Sequence, residues 1–571
     1  MLFRSAVSLT VDGLLEVLNG AQISSSTYAA GNAGMVTVQA GALRLDGGGL
    51  ADQFTRIRSN ANTGSTGHAG SVSLMVDGLL EVLNGAEIAS STWAAGNAGT
   101  VTVQAGALRL DGGGLADQFT GITSNANTGS TGHAGAVSLT VEGLLEVLNG
   151  AQISSSTWAT GNAGTVTVQA GALRLDGGGL ADQFTGIFSD ANKDSGNAGD
   201  VSLTVEGLLD ILNGAEISSG TWATGNAGTV TVNAGAMQID GAAIYSQANA
   251  GSTGHAGAVS LTVDGLLEVL NGAEISNGTW GGNAGTVTVQ AGALRLDGGL
   301  DDQFTWIRSN ANTGSTGHAG AVSLTVDGLL EVLNGAGISS GTWATGNAGT
   351  VTVDAGAMQI DGASIYSQAN AGSTGDAGAV SLTVDGLLEV LNGAQITSST
   401  YAAGNAGTVT VQAGALHLDD GGLADQFTGI FSDANDGSGN AGAVLLTVKG
   451  LLDVLNGAQI SSGTWSSGNA GTVTVQAGAL RLDRGGLADQ FTGITSQVNT
   501  GSTGHAGAVS LTVDGLLEIL NGAEISSSTR SIGNAGTVTV QAGALRLDGG
   551  GLADQFTGIT SQTNPGSTGH A

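Results

Sequence analysis

The sequence predicts an all-β fold, a parallel β-helix of about eighteen coils with three short strands in each, and three observations predict it. First, the text running from Val7 to Gly70 restarts at Val72, Val137, Val201, Val259, Val322, Val380, Val444 and Val509, at spacings of 58 to 65 residues. Second, each of these nine units is itself a duplication. The first half opens AG-x-V-S-L-T-V and ends N-G-A-Q-I-S. The second opens AG-x-V-T-V-Q-A and, in its short form, ends D-G-A-A-I-Y-S (Asp240 to Ser246), so the true period is about 28 residues. Third, Val, Leu and Ile alternate with polar residues between glycine-rich breaks, the pattern of short half-buried strands. One coil cannot bury its own apolar face, but stacked neighbours can, so residues 1–571 are expected to form a single repeat array.

Within a unit, Val7, Leu9 and Val11 alternate with Ser8 and Thr10 as a first strand, and Asp12-Gly13 signals a turn. Leu15 and Val17 flank Glu16 in a second strand whose carboxylate faces water. Asn19-Gly20 is the strongest turn signal, and Ala21 with Ile23 forms a third short strand. Ser25 to Gly34 is read as a small-residue loop. Leu14 and Leu18 do not fit the alternation, so either a bulge buries one of them or the first-half coils add to an exposed leucine stripe. The fourth and sixth units lack seven residues of the GGLADQFT segment, which marks that segment as a loop outside the repeating frame.

The rival fold is a leucine-rich repeat with DGLLEVLNGA as a short helix. The equivalent stretch Gly41 to Gly49 (GALRLDGGG) argues against it, because interior glycines cost a helix roughly 1 kcal/mol each. Strands ~4.8 Å apart would give a rod of order 85 Å. Asparagines such as Asn19 and Asn84 are expected to form hydrogen-bonded ladders within the turns.

The chain has 46 acidic residues against 14 basic ones, a formal net charge of −32, which repels phosphate backbones and anionic membranes. There is no cysteine, hence no disulfide framework and no thiolate chemistry. No apolar run reaches the ~18 residues of a membrane span. The opening MLFRSAVSLT enters the repeat at once with no signal peptide, and the ending PGSTGHA stops inside the phrase that precedes each new unit. Both ends read as cut from a longer array.

The phrase AG-x-V-x-L-x-V-x-G-L-L-x-V-x-N-G-A-x-I-S-S-S-T, followed by GNAG, resembles the repeat region of filamentous-haemagglutinin-like exoproteins, the secreted partners of two-partner secretion systems. The resemblance covers essentially the whole chain. It implies a right-handed parallel β-helix, exported through an outer-membrane pore and displayed or shed as an adhesin at the surface of a Gram-negative bacterium. Export in that family relies on an amino-terminal secretion domain, which this sequence does not contain.

The foremost candidate site is a ligand-stacking row: Tyr28, Trp93, Trp158, Trp222, Trp280, Trp343, Tyr401 and Trp465, interrupted by Arg530 in the ninth unit. Recurring every second coil, ~10 Å apart, flat rings there would suit the sugar rings of an extended polysaccharide. The competing role is for each ring to cover its own loop. Six histidines share one position, His68, His133, His255, His318, His505 and His570, with Asn197, Asp376 and Asn440 in its place elsewhere. Histidines ~10 Å apart cannot share an ion with ~2 Å ligand bonds, so these are read as solvated turn residues.

The inserted loop carries Asp46, Asp52 and Phe54, with Asp111, Asp117 and Phe119 as equivalents. Two carboxylates invite Ca²⁺, against the plainer reading that the phenylalanine folds back over the side of the coil. Thr10 and Thr140, taken as alternating with Thr102 and Thr167, raise a flat threonine array of the ice-binding kind, interrupted by Ser8, Gln39 and Gln104.

No cofactor or metal site is expected, and no catalytic constellation appears, because every unit carries the same residues. The expected function is a structural and adhesive rod. Its alternatives are a carbohydrate-binding β-helix and, last, a polysaccharide lyase or hydrolase. Partners would be extracellular glycans or cell surfaces, with no nucleic acid.

Overall fold

The computed structural model describes residues 6–49, 54–114, 118–179, 183–192, 195–299, 304–422, 427–435, 437, 439–465, 467–487, 490–551, 556–563 and 569–571. Among them are 36 strands and no helix. No helix is long and apolar enough to cross a membrane. The chain forms two compact units, Met1–Val269 with Ala273–Thr288, and Leu270–Gly272 with Val289–Ala571. Each is a parallel β-solenoid.

In the first unit, β1 (Val7–Leu18), β2 (Gln22–Thr27), β3 (Val36–Asp46) and β4 (Arg56–Ala61) make one full repeat. β1 pairs parallel with β3, which pairs with Val72–Leu83; β2 pairs parallel with β4, which pairs with Glu87–Thr92. Long strands thus build one sheet and short strands another. The second unit repeats the scheme, for example with Val322–Leu333 on Val351–Asp361 and Trp306–Ala311 on Gly337–Thr342.

Each turn therefore has two strands where three were expected. Asp12-Gly13 makes no turn: the register passes from Val11↔Ala40 to Leu14↔Ala42, so two residues oppose the single Gly41 in a β-bulge. A Cβ on Gly41 would lie 2.6 Å from the Asp12 carbonyl oxygen, so only glycine fits opposite the bulge. The Asn19-Gly20 turn is present, with φ of 51° and 85° and Ala21 N–H donating to Leu18 O at 3.1 Å. Both φ values are those of a type I′ turn.

The bulge also answers the leucine question. Val72, Leu74, Val76, Leu80 and Val82 point inward and are at most 1% exposed, whereas Leu79 stays outside and Leu83 is half-buried. Like stacks on like: Ile23 on Ile57 on Ile88 on Ile122, and Val7 on Val36 on Val72. Thr140 pairs with Gln104 and Gln169, while Thr102 and Thr167 pair with Ser138. The two threonine sets occupy different columns two residues apart, so the proposed alternation of one with the other does not exist.

The segment read as a loop from Ser25 continues as strand to Thr27, and Ser25 and Thr27 are interior while Ser26 faces out. Ser155 is fully buried; its Oγ donates to Gly135 O of the preceding turn at 2.9 Å and accepts Gly164 N–H at 2.8 Å. Ser189, one turn on, does the same between Gly164 O and Gly199 N. Asn277 occupies the position once, with the same partners made through its amide. Replacing Ser155 by alanine leaves a buried N–H and a buried C=O unpaired, which should cost about 2 kcal/mol. Denaturant midpoints of Ser155→Ala and Ser155→Asn test this; a loss below about 0.5 kcal/mol for alanine would count against the clip.

The glycines of the GNAG and GHAG phrases have a steric reason. A Cβ on Gly132 would lie 2.1 Å from Gly96 O, and one on Gly161 2.2 Å from Gly132 O. Successive turns leave no room for a side chain there, and the alanines Ala126, Ala134 and Ala159 pack together beside it.

Candidate ligand-binding site

Short strands such as Ala151–Thr157 end at a buried threonine, and the next residue belongs to the aromatic row. Trp158 N–H donates to Ala126 O of the preceding turn at 2.8 Å, and Trp222 N–H likewise to Ala191 O. These backbone bonds fix the row's register in both units, through Trp343 to Ala311 and Trp465 to Ala434 in the second. Trp158, Trp222, Trp343, Tyr401 and Trp465 are between 38% and 43% exposed. Tyr28 is more open, and Trp93 and Trp280 are half-buried. Arg530 keeps the backbone bond, to Val498 O, without the ring.

Three of the rings lean back on their own strands. A Cβ on Gly220 would meet Trp222 Cζ3 at 3.2 Å, and Gly341 and Gly463 stand in the same relation to Trp343 and Trp465. Trp222, Trp343 and Trp465 therefore each have one edge packed on the strand and about two fifths of the residue in solvent.

Between the aromatic positions lies a residue type that the sequence reading overlooked. The second-half turns place asparagine there: Asn62, Asn127, Asn192 and Asn249 donate their N–H to Thr27, Thr92, Thr157 and Thr221 O, each at 2.8–2.9 Å. The column thus reads aromatic, Asn, aromatic, Asn. The Asn127 amide also donates to Thr92 O at 3.3 Å. Aligning the two half-units on their Ile and Ser residues, ISSSTW against ITSNAN, exposes this alternation in the sequence.

An open trough of about 610 Å³ lies between Trp158 and Trp222, bounded by Thr128, Gly129, Ser130, Thr160 and Asn192. One wall is a β-turn, with Ser130 N–H donating to Asn127 O at 3.0 Å and Gly129 at φ 86°. Rings, amides and hydroxyls converging on a shallow trough can stack and hydrogen-bond a neutral polyhydroxyl ligand.

The histidines are exposed, as a solvated turn residue should be, but they also have partners. His68 N–H donates to Asn32 Oδ1, Asn97 N–H donates to His68 Nδ1 at 2.8 Å, and His133 N–H donates to Asn97 Oδ1. Asn197 and Asp376 accept in the same way through Oδ1. All three side chains carry an acceptor two bonds from Cβ, which explains why they interchange.

At the inserted loop, Asp46 accepts Gly48 N–H and the Asn84 amide on Oδ1 and pairs with Arg44 at 2.9 Å on Oδ2. Burial pushes this carboxyl up, but the Gly48 N–H, the Asn84 amide and Arg44 outweigh it and hold the group below its ordinary value. Asp111 is held in the same way by Arg109, Asn149 and Gly113. The asparagine ladder is thus an Asn–Asp alternation, and the first carboxylate of the calcium hypothesis is already occupied. Asp52 and Asp117 lie outside the described residues. Phe119 folds back so that its Cζ would be 2.8 Å from a Cβ on Gly121. Among the described residues no group of three acidic or histidine side chains is placed to hold a metal ion.

Fold and column together define the class: a parallel β-solenoid repeat protein with a periodic aromatic face. Comparisons with protein-family models, curated proteins and solved structures return no match.

Proposed function

We propose that this chain is an adhesive and structural segment of an exported bacterial surface protein, and that its aromatic–asparagine column binds extended extracellular glycans. The observation that carries the reading is the exposed ring repeated every second turn, with a trough between Trp158 and Trp222. A ring every ~10 Å lets successive sugars of one polymer engage successive repeats, so weak contacts add by multivalency. The right-handed winding, the outer-membrane secretion pore as partner and the extracellular or outer-membrane location belong to this proposal through the resemblance of the repeat text. The near-identity of the repeats supports a molecule whose use lies in repetition, since a cleaving enzyme requires one distinctive cleft.

Tryptophan fluorescence of the purified chain, titrated with a panel of soluble polysaccharides, tests the proposal. A saturable shift is expected with at least one glycan. The Trp158→Ala, Trp222→Ala double variant should weaken it by about ten-fold or more, because each ring contact is worth roughly 0.5–1.5 kcal/mol. No response to any glycan, or an unchanged affinity in the double variant, would remove the column from function.

A further inference from the structure

The bulge that leaves Leu14 outside does so in every repeat. Leu14, Leu79, Leu144, Leu208 and Leu266 in the first unit, and Leu329, Leu387, Leu451 and Leu516 in the second, are 42–59% exposed. Between them the interleaved turns place alanine in register, as in Leu79↔Ala107, Leu144↔Ala172 and Leu208↔Ala236. Within each unit the column is an apolar stripe with leucine knobs ~9.6 Å apart and shallow dips between them. Stripes of this kind on a soluble surface mark interaction sites.

Carboxylates border the stripe on both sides. Two residues before Leu79, Leu144 and Leu208 stand Asp77, Glu142 and Glu206, exposed, and two residues after them stand Glu81, Glu146 and Asp210; in the second unit Lys449 replaces the carboxylate before Leu451. The second row is partly neutralised, because Arg109 and Arg174 lie in register with Glu81 and Glu146. The first row is not: opposite its bulges sit only Gly106 and Gly171, and a hollow of about 440 Å³ opens between Asp77 and Glu142.

We propose that this face docks a basic amphipathic α-helix laid along the stripe. The charge excludes the obvious alternatives. A second copy would set carboxylate rows against carboxylate rows, and anionic lipids or nucleic acids are repelled in the same way. A helix advances about 10.5 Å in seven residues, against ~9.6 Å for two turns of the solenoid. An apolar side chain every seventh residue therefore drops over successive alanine dips with a drift of about 1 Å per repeat, while flanking lysines or arginines meet the unneutralised row. This is helix-on-groove recognition with the anchors read at heptad spacing.

Fluorescence anisotropy of a labelled Leu/Lys peptide of about three heptads tests the proposal, compared with its scrambled form and with oligolysine. The heptad peptide should bind the wild-type chain, lose affinity with rising salt and weaken about ten-fold in a Leu79→Ser, Leu144→Ser, Leu208→Ser variant. These side chains are exposed, so circular dichroism should show the fold retained. Equal binding of the scrambled peptide or of oligolysine to both proteins would reduce the face to simple polyanion attraction and overturn the proposal. So would the absence of binding, or a dimer seen by sedimentation in the wild type and lost in the triple variant.

Discussion

Replacing Gly161 by alanine is expected to destabilise its repeat by more than about 4 kcal/mol, a loss reserved for severe steric or cavity defects. The added Cβ would stand 2.2 Å from the carbonyl oxygen and 2.6 Å from the carbonyl carbon of Gly132 in the turn before. Neither atom can rotate away, and moving the turns apart breaks the bond from Ser155 Oγ to Gly135 O of the turn before. Gly129→Ala is the control: its φ of 86° disfavours alanine, but nothing lies within 4 Å of the new atom. That substitution should cost only about 1 kcal/mol. Denaturant midpoints give the comparison, and hydrogen exchange around Ala134 and Ala163 locates the damage, since a repeat array opens locally before it opens globally. Equal, small losses for the two variants would show that the close approach is not what selects glycine at Gly161.

The second large effect depends on pH. Asp190 and Asp433 stand where other repeats have Asn60, Asn125 and Asn310. Burial raises both carboxyls to about 7, and the single N–H from Gly220 or Gly463 only partly opposes it. A carboxyl raised in the folded state stabilises the fold relative to its ionised form below the unfolded value of ~3.9, and that stability is lost as pH rises toward about 7. The wild type should therefore weaken between roughly pH 4 and 8. Asp190→Asn and Asp433→Asn should each recover roughly 2–4 kcal/mol at pH 8 and change little at pH 4. Because Asp433 Oδ1 and the Trp465 ring both lie over Gly463, tryptophan emission should follow the same titration. Parallel stability–pH curves for variant and wild type would refute the assignment.

Much of this molecule was legible as text. The repeat length, the parallel stacking of identical residues, the inward Val, Leu and Ile columns and the Asn19-Gly20 turn all follow from period-two alternation and turn chemistry, which are local properties. The aromatic row was legible too, because its spacing equals the repeat. What escaped depends on register between turns. Asp12-Gly13 looks like a turn in isolation and becomes a bulge only because Gly41 of the next turn lies opposite it.

The buried serines read as loop because a hydroxyl is polar in the sequence; they are interior because Gly135 O and Gly164 N–H are waiting for them. The histidines read as solvent-facing, and their exchange with Asn and Asp made sense only once Nδ1 was seen accepting the next turn's N–H. The sequence by itself determined which residues repeat and which of them alternate between core and solvent. The tertiary structure decided which atoms of one turn meet which atoms of the next, because a contact about 28 residues away in the chain is set by stacking and leaves no local signature.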